Sequence, residues 1–595
     1  MKKILLNIVV LIVSLLVVGL IIYLGQYFTK LKLSNQTLLN SLEVSNQNSF
    51  SDWSNAFEQI NVTIGSFKQT WGNFFSLLLK LSTDVKLREI LNVAANDFEI
   101  IQNGEFLAGI ISSEAPPAGR AGRNKILPTE GRQVLIKNND NPLTILLDLN
   151  QNLNFLEKYN LTFVRNLQYQ IKNWLIFLGN DGPKHYLIVF QEPNVPRPSG
   201  GFLGAYGIIS FNQGKMTLKG DSIFDLDDLF LNKIIPPSPL QTISNKWFFH
   251  DVNWFFDFSS TGRKIIEFYQ KTGLTPSVDG VIAVNDSVFE PILDITGQIE
   301  LKDYGLVIDK NNFVSFFEKQ IENSAQAISS EGREIFSVFV QSLFNKLQEI
   351  PSEQFAQIFN ILEELLKNKD IQIYSSDDEV EYYFDSLDWA GKITESKNDY
   401  LAVVFNNIEK GFTKDERQKD INLETKISSS TITDILKIST RPLLLKDKNL
   451  EIFLKIYLPK GVTIIDSTGG YLKKMNNNWP YEKLDYQNDS DLEIIESKKI
   501  IDEAKGIEIF EEGSKTVIGT WVKLSLKPFS LTYQLPFQGE DLNNWEIKIQ
   551  RQSGQNVNLS YNLIPPSDKK ISPTLFEFQK SFPLIQDMVL NFQID

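Results

Sequence analysis

Cysteine is missing from all 595 residues, so disulfide staples and thiolate metal sites are excluded whatever compartment the chain works in. Histidine is nearly as scarce: His185 and His250 are the only two, which leaves little for a histidine metal site. Basic residues fall short of acidic ones, 59 against 73, for a formal charge of −14. That balance argues against nucleic acid, or an anionic membrane surface, as a broad partner, and any anion site must be local. After Lys30 no second run is long and apolar enough to span a bilayer, so everything beyond it is expected on one side of a membrane. What remains is ordinary globular material, 42% hydrophobic and long enough for several domains with full-sized cores.

The N-terminus is the exception to that ordinary composition. Ile4 to Leu24 is nearly continuously apolar, broken by Asn7, Ser14 and Gly19, and has about the ~20 residues a helix needs to cross a bilayer. It outruns the core of a cleaved signal, and no small-residue cleavage site closes it, so it reads as an uncleaved anchor embedded in lipid. Lys2 and Lys3 are matched by Lys30 and Lys32, and charge alone does not orient it.

The expected fold class is an α/β central domain, a mixed sheet with covering helices, flanked by a transmembrane helix and helical stalk, a helical insertion, and a C-terminal antiparallel β-sandwich. The anchor is expected over 1–28 and the stalk over 29–180, where Phe67, Trp71, Phe74, Leu78 and Leu81 recur at helical spacing and Leu146 to Leu178 reads as a second helical segment. The α/β core is expected over 181–310. There, Ser259 or Ser260 would cap a helix that stops at Gly273, Val278 to Val284 would be a buried strand, and Asp286 would cap a short helix in which Pro291 is awkward. A helical insertion is expected over 311–370, with Phe336, Phe339, Val340, Leu343, Phe344 and Leu347 on one face. Ile371 to Tyr374 and Tyr400 to Phe405 would rejoin the core over 371–430. From 431 to 595 the period is two: Leu450, Ile452, Leu454 and Ile456 alternate with Glu451, Phe453, Lys455 and Tyr457, and Trp545, Ile547, Ile549 and Val557, Leu559, Tyr561, Leu563 repeat the pattern. One dry and one wet face per strand suggest a sandwich.

The most unusual local chemistry lies between Tyr186 and Asp228. An apolar run, Tyr186 to Phe190, leads into a Pro-rich loop that carries Arg197, followed by Gly200, Gly201 and Gly204. Glycines allow close approach to backbone N–H groups, so Arg197 with Gly200 and Gly201 can hold an anion; a tight strand-to-strand connection is the plain alternative. Tyr206 to Phe211 and Lys215 to Lys219 flank Asn212-Gln213-Gly214 as a β-hairpin. Asp221, Asp225, Asp227 and Asp228 follow, oxygen ligands suited to Mg²⁺ or Ca²⁺, or else a solvated acidic loop. Asp251, Asn253 and Asp257 surround Trp254 and would line a polar cleft, or cap and fix the loop before Ser259. Arg197 would bind phosphate or carboxylate, or pair with a nearby aspartate. His250, with no evident nucleophile, reads as a surface or loop histidine.

The blocks RPSGGFLGAYGIISFNQGKM, HDVNWFFDFSSTGRKIIEFYQKTG, VDGVIAVN and YLAVVFNN, in that order, resemble the bacterial membrane-anchored family termed domain of unknown function 4012. The resemblance covers Tyr186 to about Lys426. It implies a single-span protein with its N-terminus cytoplasmic and its bulk outside the cell membrane, and it implies no activity. More distantly, the order of an Arg-bearing loop, hairpin, helix and VDGVIAVN strand is similar to the LytR-CpsA-Psr family. That resemblance implies arginines holding a polyprenyl pyrophosphate and acidic residues binding magnesium during glycopolymer transfer. Only Arg197 and Asp221 or Asp225 can be placed near that pattern; where a second Arg-Asp element would fall, Ser222 to Asp228 reads SIFDLDD and has no arginine.

Two functions follow as expectations. The first is a membrane-anchored extracytoplasmic cell-envelope protein, a non-catalytic scaffold or binding protein whose partners are wall polymer or envelope proteins. The second is a Mg-dependent transferase acting on a polyprenyl-pyrophosphate-linked glycopolymer, with Arg197 clamping phosphate and the acidic segment holding the metal.

Overall fold

The structure is a computed structural model. It describes residues 162–595, less residues 213–214, 317, 320–338, 340–341, 344–345, 347–351, 409–413, 429, 442–449, 474–478, 526, 537–542 and 573–576. The expected anchor at Ile4 to Leu24, most of the stalk, and Phe336, Val340, Phe344 and Leu347 lie outside the described residues. Among the described residues no helix is long and apolar enough to cross a membrane.

The fold is mixed α/β, with a β-rich C-terminal region. The first sheet contains β1 (Lys184–Arg197), β2 (Gly200–Asn212), β3 (Lys215–Ser222), β4 (Gly280–Asn285) and β7 (Ile371–Ser375) in the order β3-β2-β1-β4-β7. β1 and β4 are parallel and the remaining pairs antiparallel. Helices α1 (Thr162–Phe177), α2 (Ile223–Leu229), α3 (Phe258–Lys271), α4 (Phe289–Thr296), α5 (Ser352–Lys367) and α6 (Asp378–Ser386) accompany it, and a short hairpin, β5 (Ile299–Leu301) with β6 (Leu306–Ile308), follows α4. The expected β2–β3 hairpin and the buried β4 are both present. α1, expected in the stalk, instead packs on this unit: Phe177 stacks on Tyr186 at 4.2 Å between ring centroids, and Lys172 pairs with Glu379 of α6.

Local chemistry explains the helix ends, with two corrections. Asp257, not Ser259 or Ser260, is the N-cap of α3, its carboxylate accepting from the Ser260 N–H at 2.8 Å. Asp286 opens a 3₁₀ turn without capping it through its side chain. Pro291 is the third residue of α4, inside the first turn, where an N–H has no partner within the helix to lose. Gly273 stops α3 with φ near +73°, as expected.

The β-rich region holds two larger sheets. One runs β12 (Thr463–Thr468), β17 (Phe529–Gln534), β10 (Ile432–Arg441), β9 (Gln418–Ile427), β19 (Val557–Ile564), β20 (Phe578–Pro583). The other runs β14 (Ile500–Asp502), β15 (Ile507–Glu512), β16 (Lys515–Val522), β11 (Ile452–Leu458), β8 (Asp399–Asn406), β18 (Asn544–Gln550), β21 (Met588–Gln593), with β13 (Gly470–Tyr471) on β16 and α7 (Ser490–Glu496) preceding β14. Inward residues of both sheets share one apolar core that includes Leu401, Phe405, Leu436, Leu454, Leu531 and Leu559.

Three expectations about this region change. β8, which contains Tyr400 to Phe405, does not rejoin the α/β sheet; it lies between β11 and β18. The sheets are not purely antiparallel, because β8 with β18 and β9 with β19 run parallel. β11 has no wet face: Phe453 and Trp521 join the apolar core of the α/β unit, and Lys455 is buried against Glu512 at 2.8 Å. A strict alternation of apolar with larger mixed side chains therefore marks a strand buried on both faces.

One strand joins the two regions. β1 has 14 residues and β4 has 6, so β1 overruns its parallel partner beyond Gln191. The overhang is EPNVPR, and Pro193 and Pro196 have no N–H to satisfy, which leaves mainly carbonyls exposed on that side. Those carbonyls are met from the β-rich region: Gln555 donates to Pro193, Asp415 N–H to Asn194, Asn407 N–H to Pro196 and Gln552 to Arg197, at 2.7 to 3.1 Å. On its other edge the overhang pairs with the start of β2 so closely that a Cβ on Gly201 would stand 2.0 Å from the Glu192 carbonyl oxygen. Gly201→Ala is therefore expected to cost about 3 kcal/mol, the upper range for overpacking, read as a lower urea midpoint.

Candidate functional site

The Arg197 region is built at the far end of this overhang. Arg197 pairs with Gly200 across a two-residue turn, and Gly204 is the residue skipped where Phe190 and Gln191 face Ala205 and Leu203. The glycines thus serve close strand approach: a Cβ at Gly200 would strike the Gln191 side chain and one at Gly201 the β1 backbone. This close packing is the plain alternative for Gly200 and Gly201.

Arg197 itself is 3% exposed. Its Nε donates to Asp251 Oδ1 at 2.7 Å, and its Nη1 donates to the carbonyl oxygens of Pro196 and Asn407. The guanidinium also sits 5.6 Å from the Phe202 ring centroid. Asp251 is buried as well, and although burial raises its carboxyl pKa, Arg197 and His250 outweigh that and hold it below the usual range.

His250 connects this pair to the acidic segment. Its Nδ1 meets Asp227 Oδ2, and its Nε2 lies 3.5 Å from Asp251 Oδ2. The imidazole stacks on Phe248 at 5.3 Å and lies 5.0 Å from Phe202. Burial would lower its pKa, but Asp251 and Asp227 more than compensate, so the net direction is up. The arrangement Asp227–His250–Asp251–Arg197 is a buried chain of alternating charge that ties α2, the 249–251 turn, β1 and the Asn407 loop together. Sequence reasoning missed His250; the adjacency of His250 and Asp251 in HDVNW was the available signal.

The other expected site residues fall on different elements. Asp221 falls in β3 and Asp225 in α2, so the acidic segment is a strand end and a short helix, not a loop. Asp227 spends both oxygens, Oδ1 accepting from Phe249 N–H at 2.6 Å and Oδ2 meeting His250. Asp228 is exposed. Among the described residues no three acidic or histidine side chains are grouped to hold a metal ion. Asn253 donates to Gln191 Oε1 and the Gly201 carbonyl, and Asp257 caps α3 while accepting from Ile393 N–H at 3.0 Å. Of the residues around Trp254, Asn253 and Asp257 are thus fasteners, and Asp251 is the centre of the charge chain.

A second acidic group lies near the carboxyl ends of β1 and β4, the usual ligand crevice of a parallel pair. Glu192 is pushed up to about 7 by burial and by Glu318, against the pull of Lys414. Asp286 is raised by burial, Glu192 and Glu318. Glu318 is paired with Lys414 at 2.7 Å. The segment Arg551–Gln555 fills the space beside them: Asn285 donates to Ser553 Oγ at 3.0 Å, and a Cβ on Gly554 would press on Pro193.

Residues 181–321 match the model of a family described as a protein of unknown function, DUF4012. No curated protein matches the sequence. Among solved structures, the chain is similar to the crystal structure of TagV from B. subtilis, at 11% identity over 35% of this chain and 98% of that one, with a TM-score of 0.17. It is also similar to the crystal structure of the transcriptional regulator yvhJ from Bacillus subtilis, at 10% identity over 35% of this chain and 98% of that one, with a TM-score of 0.16. At those scores neither likeness bears on function.

Two outcomes check the charge chain. Arg197→Ala leaves Asp251 charged and buried, which should cost about 3–5 kcal/mol of stability. Because the folded His250 pKa is raised, its contribution is full below the unfolded value of about 6.5 and is lost as pH rises through the folded value. Denaturant titrations from pH 6 to 9 should show that loss in the wild type and a flatter profile in His250→Gln.

Proposed function

Taking the DUF4012 match at residues 181–321 as the premise, we propose that the chain is a single-pass, membrane-anchored protein of the cell envelope. In this reading Ile4 to Leu24 crosses the bilayer with the N-terminus cytoplasmic, and the α/β unit and β-rich region stand outside as a non-catalytic scaffold or binding module. Its partners would be wall polymer or other envelope proteins. One observation supports scaffold over transferase: the Arg197 guanidinium is buried, ion-paired with Asp251 and roofed by the Asn407 carbonyl. A phosphate-clamping arginine must offer its fork to the ligand, and this one offers it to the protein. Asp227, one of the four aspartates expected to hold magnesium, supports the same reading, since it is engaged by His250 and Phe249 N–H. The scaffold reading routes no step through a metal.

The test compares wild-type full-length protein in detergent with Arg197→Lys, which retains charge in the buried pair. Undecaprenyl phosphate with MgCl₂ should leave the unfolding temperature of both unchanged, and both should sediment equally with isolated cell-wall sacculi. A thermal shift in the wild type that disappears in Arg197→Lys overturns the scaffold reading in favour of the transferase.

A further inference from the structure

The β-rich region contains two carboxyl groups where its core should be apolar. Asp434 lies on β10 between Ile432 and Leu436, and Asp399 opens β8 two residues before Leu401. Successive side chains of a strand alternate, so Asp434 faces the same way as Ile432, Leu436 and Ile438, and Asp399 the same way as Leu401, Val403 and Phe405. All of those apolar neighbours belong to the core the two sheets share. The two aspartates therefore enter one core from opposite sheets, and both are fully buried.

Among the described residues their surroundings supply hydroxyls but no countercharge. Directly across from Asp434 stand Thr425 on β9 and Tyr533 on β17. Tyr561 of β19 is close by, its hydroxyl accepting from Trp545 Nε1 of β18 at 3.0 Å. Asp399 Oδ1 accepts from its neighbour Tyr400 N–H, while Asp434 has only the neutral Thr425 and Tyr533 hydroxyls beside it. No lysine, arginine or histidine acts on either carboxyl from the elements packed against them. Neither carboxyl has a cation to offset its charge, unlike Asp251 beside Arg197.

We propose that Asp399 and Asp434 form a pH-sensitive clasp between the two sheets, holding them together only while at least one of the two buried carboxyl groups keeps its proton. Two ionised carboxylates cannot coexist in one apolar core without a cation, so at least one of them must stay protonated for the sheets to remain closed. Burial and then the Asp434 charge raise Asp399, and burial raises Asp434 to about 7 against the lowering pull of the Thr425 and Tyr533 hydroxyls. The sign follows from linkage. The folded state holds a proton that the unfolded chain releases near pH 4, so stability is full below that value and is lost as pH rises toward 7. In an acidic medium the sheets are closed, and in a neutral to alkaline one the core opens along β9 and β10.

Hydrogen exchange on the full-length protein, read peptide by peptide, tests this apart from the other titrating groups. After correction for the intrinsic rate, exchange in residues 418–441 should rise about tenfold per pH unit between about pH 5 and 7 and then level off. Asp434→Asn and Asp399→Asn should each flatten that rise while leaving β1 to β4 unaltered. As a second measurement, the infrared band of a protonated carboxyl group at pH 6 should be weaker in Asp399→Asn than in wild type. An unchanged exchange slope in both variants, or no difference in that band, overturns the clasp.

Discussion

The unmet carbonyl groups of an over-long strand organise this molecule. β1 extends past β4, and a buried backbone that loses its sheet partner must find other donors or forfeit stability of about 1–3 kcal/mol for each orphaned group. Proline at 193 and 196 halves the problem by removing donors, and the β-rich region answers the remaining half with Gln552, Gln555 and two backbone N–H groups. The two regions are therefore joined through hydrogen bonds of fixed direction as well as through the apolar contact of Phe453 and Trp521. A junction of that kind holds one orientation.

The same constraint explains the fate of Arg197. Placed at the end of the overhang and covered by the Asn407 loop, a guanidinium cannot stay hydrated, so it must be paired inside. Asp251 provides the charge and His250 and Asp227 extend the network outward. The burial locks four segments, because the polar groups of the chain are directed at one another and at the Pro196, Asn407 and Phe249 backbone.

The carboxyl groups left without cations stand in contrast. Glu192 and Asp286 at the sheet crevice, and Asp399 and Asp434 in the β-rich core, are displaced upward by burial first, Asp286 further by Glu192 and Asp399 further by Asp434. Groups of this kind store protons at pH values where ordinary carboxylates have none. The acid-rich composition of the chain is thus uneven in its consequences: most acidic residues face water, and a few couple the fold to pH.

Local sequence determined the elements whose cause is local. The β2–β3 hairpin at Asn212-Gln213-Gly214, the α3 helix stopped at Gly273, the buried β4 and the alternation in β18 and β19 were all legible, because turn chemistry and side-chain period act over a few residues. The capping by Asp257 was missed for a comparable reason: Ser259, Ser260 and Asp257 are all good caps, and spacing alone does not choose among them. What only the tertiary structure decided is which partners meet. Arg197 reaches Asp251, 54 residues on, and the Asn407 carbonyl, 210 residues on. Asp399 and Asp434 enter one core only because β8 leaves the α/β sheet and opposite sheets close on each other. The sequence by itself marked Tyr186 to Asp228 as the chemically dense stretch; whether its arginine faced a ligand or the protein depended on burial, and burial is a property of the assembled fold.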